Sequence, residues 1–205
     1  MSKICSKTLK TDLDIPLILM LSVIPDVDIL IPFLQHKGPT HSIIVALIIF
    51  TPILITHRRK TIPYLIALSQ HPIIGDGAVQ LLWPITCEKF GVGLNIKSQM
   101  NTYLEYTLFT LAFTTMLKTG DLKNLFKPHK SNITLTIPAF ALIMPIFFKF
   151  PIEPPTTLIP AHLIYTAILI PPIAIDYIEN LKKLPTESKQ HGKPAHIQPR
   201  QTLRN

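Results

Sequence analysis

Six long apolar runs, separated by short basic clusters, leave this chain few possible folds. They extend approximately from Ile15 to Leu34, Ser42 to Thr56, Ile62 to Trp83, Thr102 to Leu117, Ile133 to Phe150 and Thr157 to Ile178. A helix needs about 20 predominantly apolar residues to cross the hydrocarbon layer of a bilayer. The second and fourth runs are short for this and require tilt or local thinning. The expectation is an all-α, polytopic helical membrane protein with about six transmembrane helices. Composition agrees, with 47% hydrophobic and only 16% charged residues and a mean hydropathy of +0.35. Soluble domains carry about 25% charged residues. The chain also has 20 prolines, which membrane helices tolerate because neighbouring groups satisfy the freed carbonyls. Residues 1–181 read as one membrane domain, and 182–205 as a basic, disordered cytoplasmic tail.

The net charge of +8 would suit a nucleic-acid partner if the charges formed one patch. They lie instead in clusters between the apolar runs, so the expectation is membrane lipids as partners and no nucleic acid. Sixteen of the 20 Lys and Arg fall in alternate connections: Lys3 to Lys10, Arg58 to Lys60, Lys118 to Lys130, and Lys182 onward. The other four, Lys37, Lys89, Lys97 and Lys149, occupy the opposite connections. Positively charged loops stay in the cytoplasm, so both termini are expected there, with the protein in the plasma membrane. The basic start resembles a signal peptide, but Asp12 and Asp14 interrupt it and no small-residue cleavage site follows Ile24. Cys5 and Cys87 are far apart and lack CxxC partners, which argues for plain thiols.

Chemistry is concentrated in the first three runs. Pro25-Asp26-Val27-Asp28 places two carboxylates within apolar sequence. An ionisable group at membrane depth costs at least about 2.5–3.5 kcal/mol and normally faces a partner or a cavity. Two adjacent carboxylates call for a cation or a shared proton. A helix cap or interfacial turn is the simpler explanation. The next connection reads His36-Lys37-Gly38-Pro39-Thr40-His41-Ser42. Gly38-Pro39 turns tightly, Thr40 or Ser42 can cap the following helix, and the flanking imidazoles can converge on one ion. The third run contains His71 and Asp76, five residues apart across Pro72 and Gly75.

Asp26, Asp28, His36, His41, His71 and Asp76 thus form a candidate metal-ligand set. Mixed histidine and carboxylate ligation suits a divalent metal, zinc above all, and two-metal phosphoester hydrolysis. Three residues are candidates for catalytic roles: Asp28 as a general base, Lys37 as a contact for an anionic substrate, and Glu105 in the fourth run. Glu105 can equally be a ligand, a base or a partner of a tyrosine hydroxyl.

These motifs resemble the YdjM-type family of inner-membrane-associated, predicted metal-dependent hydrolases. The resemblance covers roughly residues 20 to 110 and is most specific in His36 to Ser42. It extends to Leu81-Leu82-Trp83-Pro84, Phe90-Gly91-Val92-Gly93 and Glu105. It implies a helical membrane protein with a metal centre, distantly similar to zinc-dependent phospholipases C. Lys37 stands where the family usually has arginine, and no early histidine opens the first helix. The His71 to Asp76 spacing is five rather than the commoner four.

Together these features lead to the expectation of a membrane-bound metal-dependent hydrolase acting on phosphoester or other lipid-linked bonds. Its site would open on the extracytoplasmic side, with Trp83 at that interface. The alternative is a non-catalytic membrane protein whose metal or proton site serves sensing, transport or structure.

Overall fold

Asp14 sets where the first helix begins. Its carboxylate accepts from the Leu17 amide at 3.2 Å, and Pro16 supplies the fixed φ that suits a first turn. The same residue ties this end of the molecule together: its backbone N–H donates to the Tyr64 hydroxyl at 3.0 Å, and its carboxylate accepts from Ser131 Oγ at 2.7 Å. The computed structural model describes residues 13–31, 33–74, 77–91, 98–149 and 154–183. Helix α1 is Ile15–Val23, continued by a tighter 3-10 stretch over Ile24–Leu30. After a 3-10 turn at Pro39–His41 come α2, Ile43–His57, a basic turn at Arg58–Thr61, and α3, Ile62–Ile74. Helix α4 is Gln99–Thr119 and α5 the short Asp121–Leu125. A 3-10 stretch over Lys130–Leu135 leads into α6, Thr136–Phe148, and another over Thr156–Leu158 leads into α7, Ile159–Lys183.

The architecture is all-α. Among the described residues the β pairing is a single bridge between Val79 and Phe90. Helix α1 is the hub, packing against α3, the Lys130–Leu135 stretch and α6. One core cluster lies on each side of it: Ala46, Phe50 and Leu68 gather Leu21 and Ile24, while Leu125, Leu135, Ala139 and Leu169 gather Ile15 and Leu19.

Around these cores the helices turn large apolar side chains outward. On α2, Ile48 is 63% exposed and Ile55 is 71% exposed, and Phe147 and Phe148 of α6 are each 68% exposed. Soluble monomers rarely expose so much contiguous apolar surface. Two helical stretches, Lys130–Phe148 and Thr156–Lys182, are long and apolar enough to cross a bilayer, which supports membrane association.

The elements differ from the expected runs in two places. The first run is not one α-helix: it tightens at Ile24-Pro25, because proline cannot donate the helical hydrogen bond. The third run was expected to be helical as far as Trp83, but α3 stops at Ile74 and residues 77–91 form turns and bends. Gly77, at φ 85°, adopts a left-handed conformation that ends regular structure. Helix α7 reaches Lys183, slightly past the expected domain boundary, and the tail beyond it lies outside the described residues.

Ser42 fastens the irregular segment to α2. Its hydroxyl accepts from the Ile44 and Val45 amides as the N-cap, and it lies 3.2 Å from the Leu81 carbonyl and 2.6 Å from that of Trp83. The Ile43 N–H adds a bond to Leu81 O at 3.0 Å. Ser42→Ala should therefore lower stability by about 1–2 kcal/mol through loss of the cap. The measurement is the thermal midpoint in detergent, expected to fall by roughly 2–4 °C per kcal/mol.

Candidate metal centre

The 3-10 geometry of Ile24–Leu30 brings both of its carboxylates into play. Residues two apart do not share a helix face, and Asp26 and Asp28 accordingly serve different neighbours. Asp26 is partly open to solvent and lies between two imidazoles, with Oδ1 3.2 Å from His41 Nε2 and Oδ2 3.1 Å from His71 Nε2. Asp28 is buried, at 1% exposure. Its Oδ1 faces His36 Nδ1 at 3.0 Å, while Oδ2 accepts from the Lys37 amide at 3.1 Å and the Thr40 hydroxyl at 2.7 Å. His41 Nδ1 approaches the same Oδ2 at 3.4 Å and Thr40 Oγ1 at 3.2 Å.

Three elements converge to build this arrangement. The Ile24–Leu30 stretch supplies the carboxylates, the tight turn before α2 supplies His36 and His41, and the last turn of α3 supplies His71. The His41 ring lies 5.5 Å from that of His71 and 5.8 Å from that of His36, centre to centre. Two groups have donor atoms close enough to hold an ion: Asp26, His41 and His71, and Asp26, Asp28 and His36, with each group's atoms within 4.8 Å of one another. Asp26 belongs to both.

The donor chemistry of the first group fits a divalent transition metal, because imidazole nitrogen with a carboxylate oxygen is a common zinc set. Zinc–nitrogen bonds of 2.0–2.1 Å place tetrahedral ligand atoms about 3.3 Å apart, close to the separations that Asp26 makes with both histidines. The side chains of Asp26, His36 and His71 remain 33%, 34% and 27% exposed, so ion and water can reach them, whereas His41 and Asp28 form a buried floor.

The sequence-derived candidates are thus distributed unevenly. Asp26, Asp28, His36, His41 and His71 come together. Asp76 lies outside the described residues. Lys37 has φ 62° and holds the centre through its backbone: its N–H donates to Asp28 and its carbonyl accepts from the Gln80 amide at 3.0 Å. Its side chain crosses Gly77, where a Cβ would meet Nζ at 2.8 Å. Glu105 is on α4, where Oε1 accepts from Asn101 Nδ2 at 2.7 Å, and it is in neither donor group. Thr40 was considered only as a helix cap, yet the capping falls to Ser42 while Thr40 bonds Asp28 and His41. Its position beside a candidate ligand histidine was the one available signal. No protein-family model, curated protein or solved structure matches the chain.

His41→Ala removes a buried side chain that faces both carboxylates. Protein purified in detergent should lose its bound divalent metal, measured by elemental analysis. His57→Ala, an exposed position at the far end of α2, should retain the wild-type metal content.

Proposed function

We propose that the chain is a multi-pass membrane protein carrying a divalent metal, zinc by preference, and that it hydrolyses phosphoester or other lipid-linked bonds. The observation that carries this reading is the pair of contacts from Asp26 to His41 Nε2 and His71 Nε2 at 3.2 and 3.1 Å. Asp26, His41 and His71 would hold the ion, and a divalent ion held there would supply Lewis acidity and lower the pKa of a bound water. The protein's own part is to bind and orient: His41 is fixed by its burial, and Lys37 shapes the adjoining turn through its backbone bonds to Asp28 and Gln80. The motif resemblance to the YdjM-type hydrolases supports the same reaction class.

Helix lengths bear on how the chain crosses the membrane. At 1.5 Å per residue, the 21 residues of α4 and the 25 of α7 extend about 31 and 37 Å, enough for a bilayer core of about 30 Å. Helix α6 with its preceding 3-10 stretch also suffices. Helices α2 and α3 have 15 and 13 residues, or about 22 and 20 Å, and cross only where the bilayer thins. Irregular backbone does not face lipid within the hydrocarbon, so the 77–91 segment belongs at an interface. The centre lies at that same end of α2 and α3, opposite Arg58, Arg59 and Lys60. Basic turns stay in the cytoplasm, so we read the centre as facing the outer side of the plasma membrane and, with α1 and its 3-10 continuation as a further crossing, count six in all.

Reporters fused at Lys123 and Asn205 should then read cytoplasmic, and one near Pro154 external; a cytoplasmic reading at Pro154 rejects the six-crossing topology. An impermeant chelator applied to intact cells should strip the metal. Hydrolysis of lipid phosphoesters in detergent micelles should be present in the metal-loaded protein and absent from His71→Ala. Metal binding without turnover would leave the site as a sensor or structural centre.

A further inference from the structure

Although Asp28 belongs to the Asp26–Asp28–His36 donor group, both of its carboxylate oxygens are already engaged within the protein. Oδ1 is engaged by His36 Nδ1, and Oδ2 by the Lys37 amide, the Thr40 hydroxyl and His41 Nδ1. The side chain has no solvent exposure at all. A carboxylate only accepts, so His36 donates to it from Nδ1. The Thr40 hydroxyl spends its proton on Asp28 Oδ2, so His41 Nδ1, 3.2 Å from Thr40 Oγ1, is the donor in that pair. With a cation between His41 Nε2 and Asp26 Oδ1, which lie 3.2 Å apart, Nε2 offers a lone pair rather than a proton. Building on the metal centre proposed above, we infer that Asp28 is a positioning residue: it holds His41 in the Nδ1–H tautomer, aims its Nε2 at the ion held with Asp26 and His71, and anchors His36 through Nδ1, without coordinating the ion itself. Metal-binding histidines commonly donate their second ring N–H to a carboxylate in this way, which fixes ring orientation and raises ligand basicity. Thr40 completes the arrangement, because its hydroxyl donates to Asp28 Oδ2 and leaves a lone pair for His41 Nδ1–H at 3.2 Å.

This role differs measurably from ligation. Asp28→Asn preserves volume and one acceptor oxygen but places an amide against the donors that now face Oδ1 or Oδ2. Removal of such a carboxylate partner weakens metal affinity by roughly 10–100-fold. Full-length protein in detergent is titrated with cobalt(II) as a visible-spectrum probe and with zinc(II) in competition. Asp28→Asn should bind with affinity reduced in that range, yet at saturation show wild-type stoichiometry and the wild-type cobalt spectrum, since the ligand set is unchanged. Asp26→Asn, a ligand substitution, should alter the saturated spectrum. If Asp28→Asn does not fold, Thr40→Val takes its place: it removes one donor to Oδ2, and should weaken binding by a smaller factor with the spectrum again unaltered. A changed saturated spectrum or lost stoichiometry in Asp28→Asn makes Asp28 a ligand and overturns the inference, as does unchanged affinity. Failure of the wild-type protein to bind either metal overturns the metal centre, and the inference with it.

Discussion

A carboxylate with no access to water has to be satisfied from within the protein, and around Asp28 that requirement organises a third of the chain. An unsatisfied buried polar group costs about 1–3 kcal/mol, and more if charged. Each donor that meets the requirement fixes a piece of backbone. The Lys37 amide reaches Oδ2 with residue 37 in a left-handed conformation, φ 62°. The turn that results carries Thr40 and His41 back over the carboxylate and delivers Ser42 to the start of α2. Lys37 O and Ser42 Oγ then catch the 77–91 segment through Gln80, Leu81 and Trp83. A single buried acid thus connects α1, α2 and the chain beyond α3.

The outer face obeys the opposite rule. Helices α2, α4, α6 and α7 present isoleucine, leucine and phenylalanine outward. In α4 the hydroxyls of Thr107, Thr114 and Thr115 each bond the carbonyl four residues earlier. This internal pairing lets threonine face an apolar medium without an orphaned donor. Tyr106 and Tyr165 similarly deliver their hydroxyls to the carbonyls of Thr157 and Phe109, linking α4 to the α7 end of the chain.

Helix content and the convergence of Asp26, Asp28, His36, His41 and His71 were legible in the sequence. The reason is physical: charged and imidazole groups stand out in apolar surroundings, where only a partner makes them tolerable. What each aspartate does was not legible. Residues two apart in a 3-10 stretch diverge, and their division between His71 and the 36–42 turn depends on a backbone path that spacing does not encode. The end of α3 was missed for a related reason. Leu81, Leu82 and Trp83 continue the apolar pattern as far as a membrane helix would, yet Gly77 takes a left-handed conformation that interrupts it. Thr40 is hidden for another reason: a threonine before a helix suggests a cap, and Ser42, two residues on, takes that place. Glu105 stands out by the same apolar-context signal, but among the described residues it belongs to neither donor group, and it bonds Asn101 on its own helix.

The donors of the centre also have an order along the chain. All five lie between residues 26 and 71, on elements that precede α4. During synthesis the chain emerges from its N-terminus, so every one of these groups has been made before α4, α6 and α7. The acidic and imidazole groups need not wait for the C-terminal helices to find one another. The carboxylates and imidazoles of this segment can therefore be enclosed among their own sequence neighbours while the longest helices are still being made.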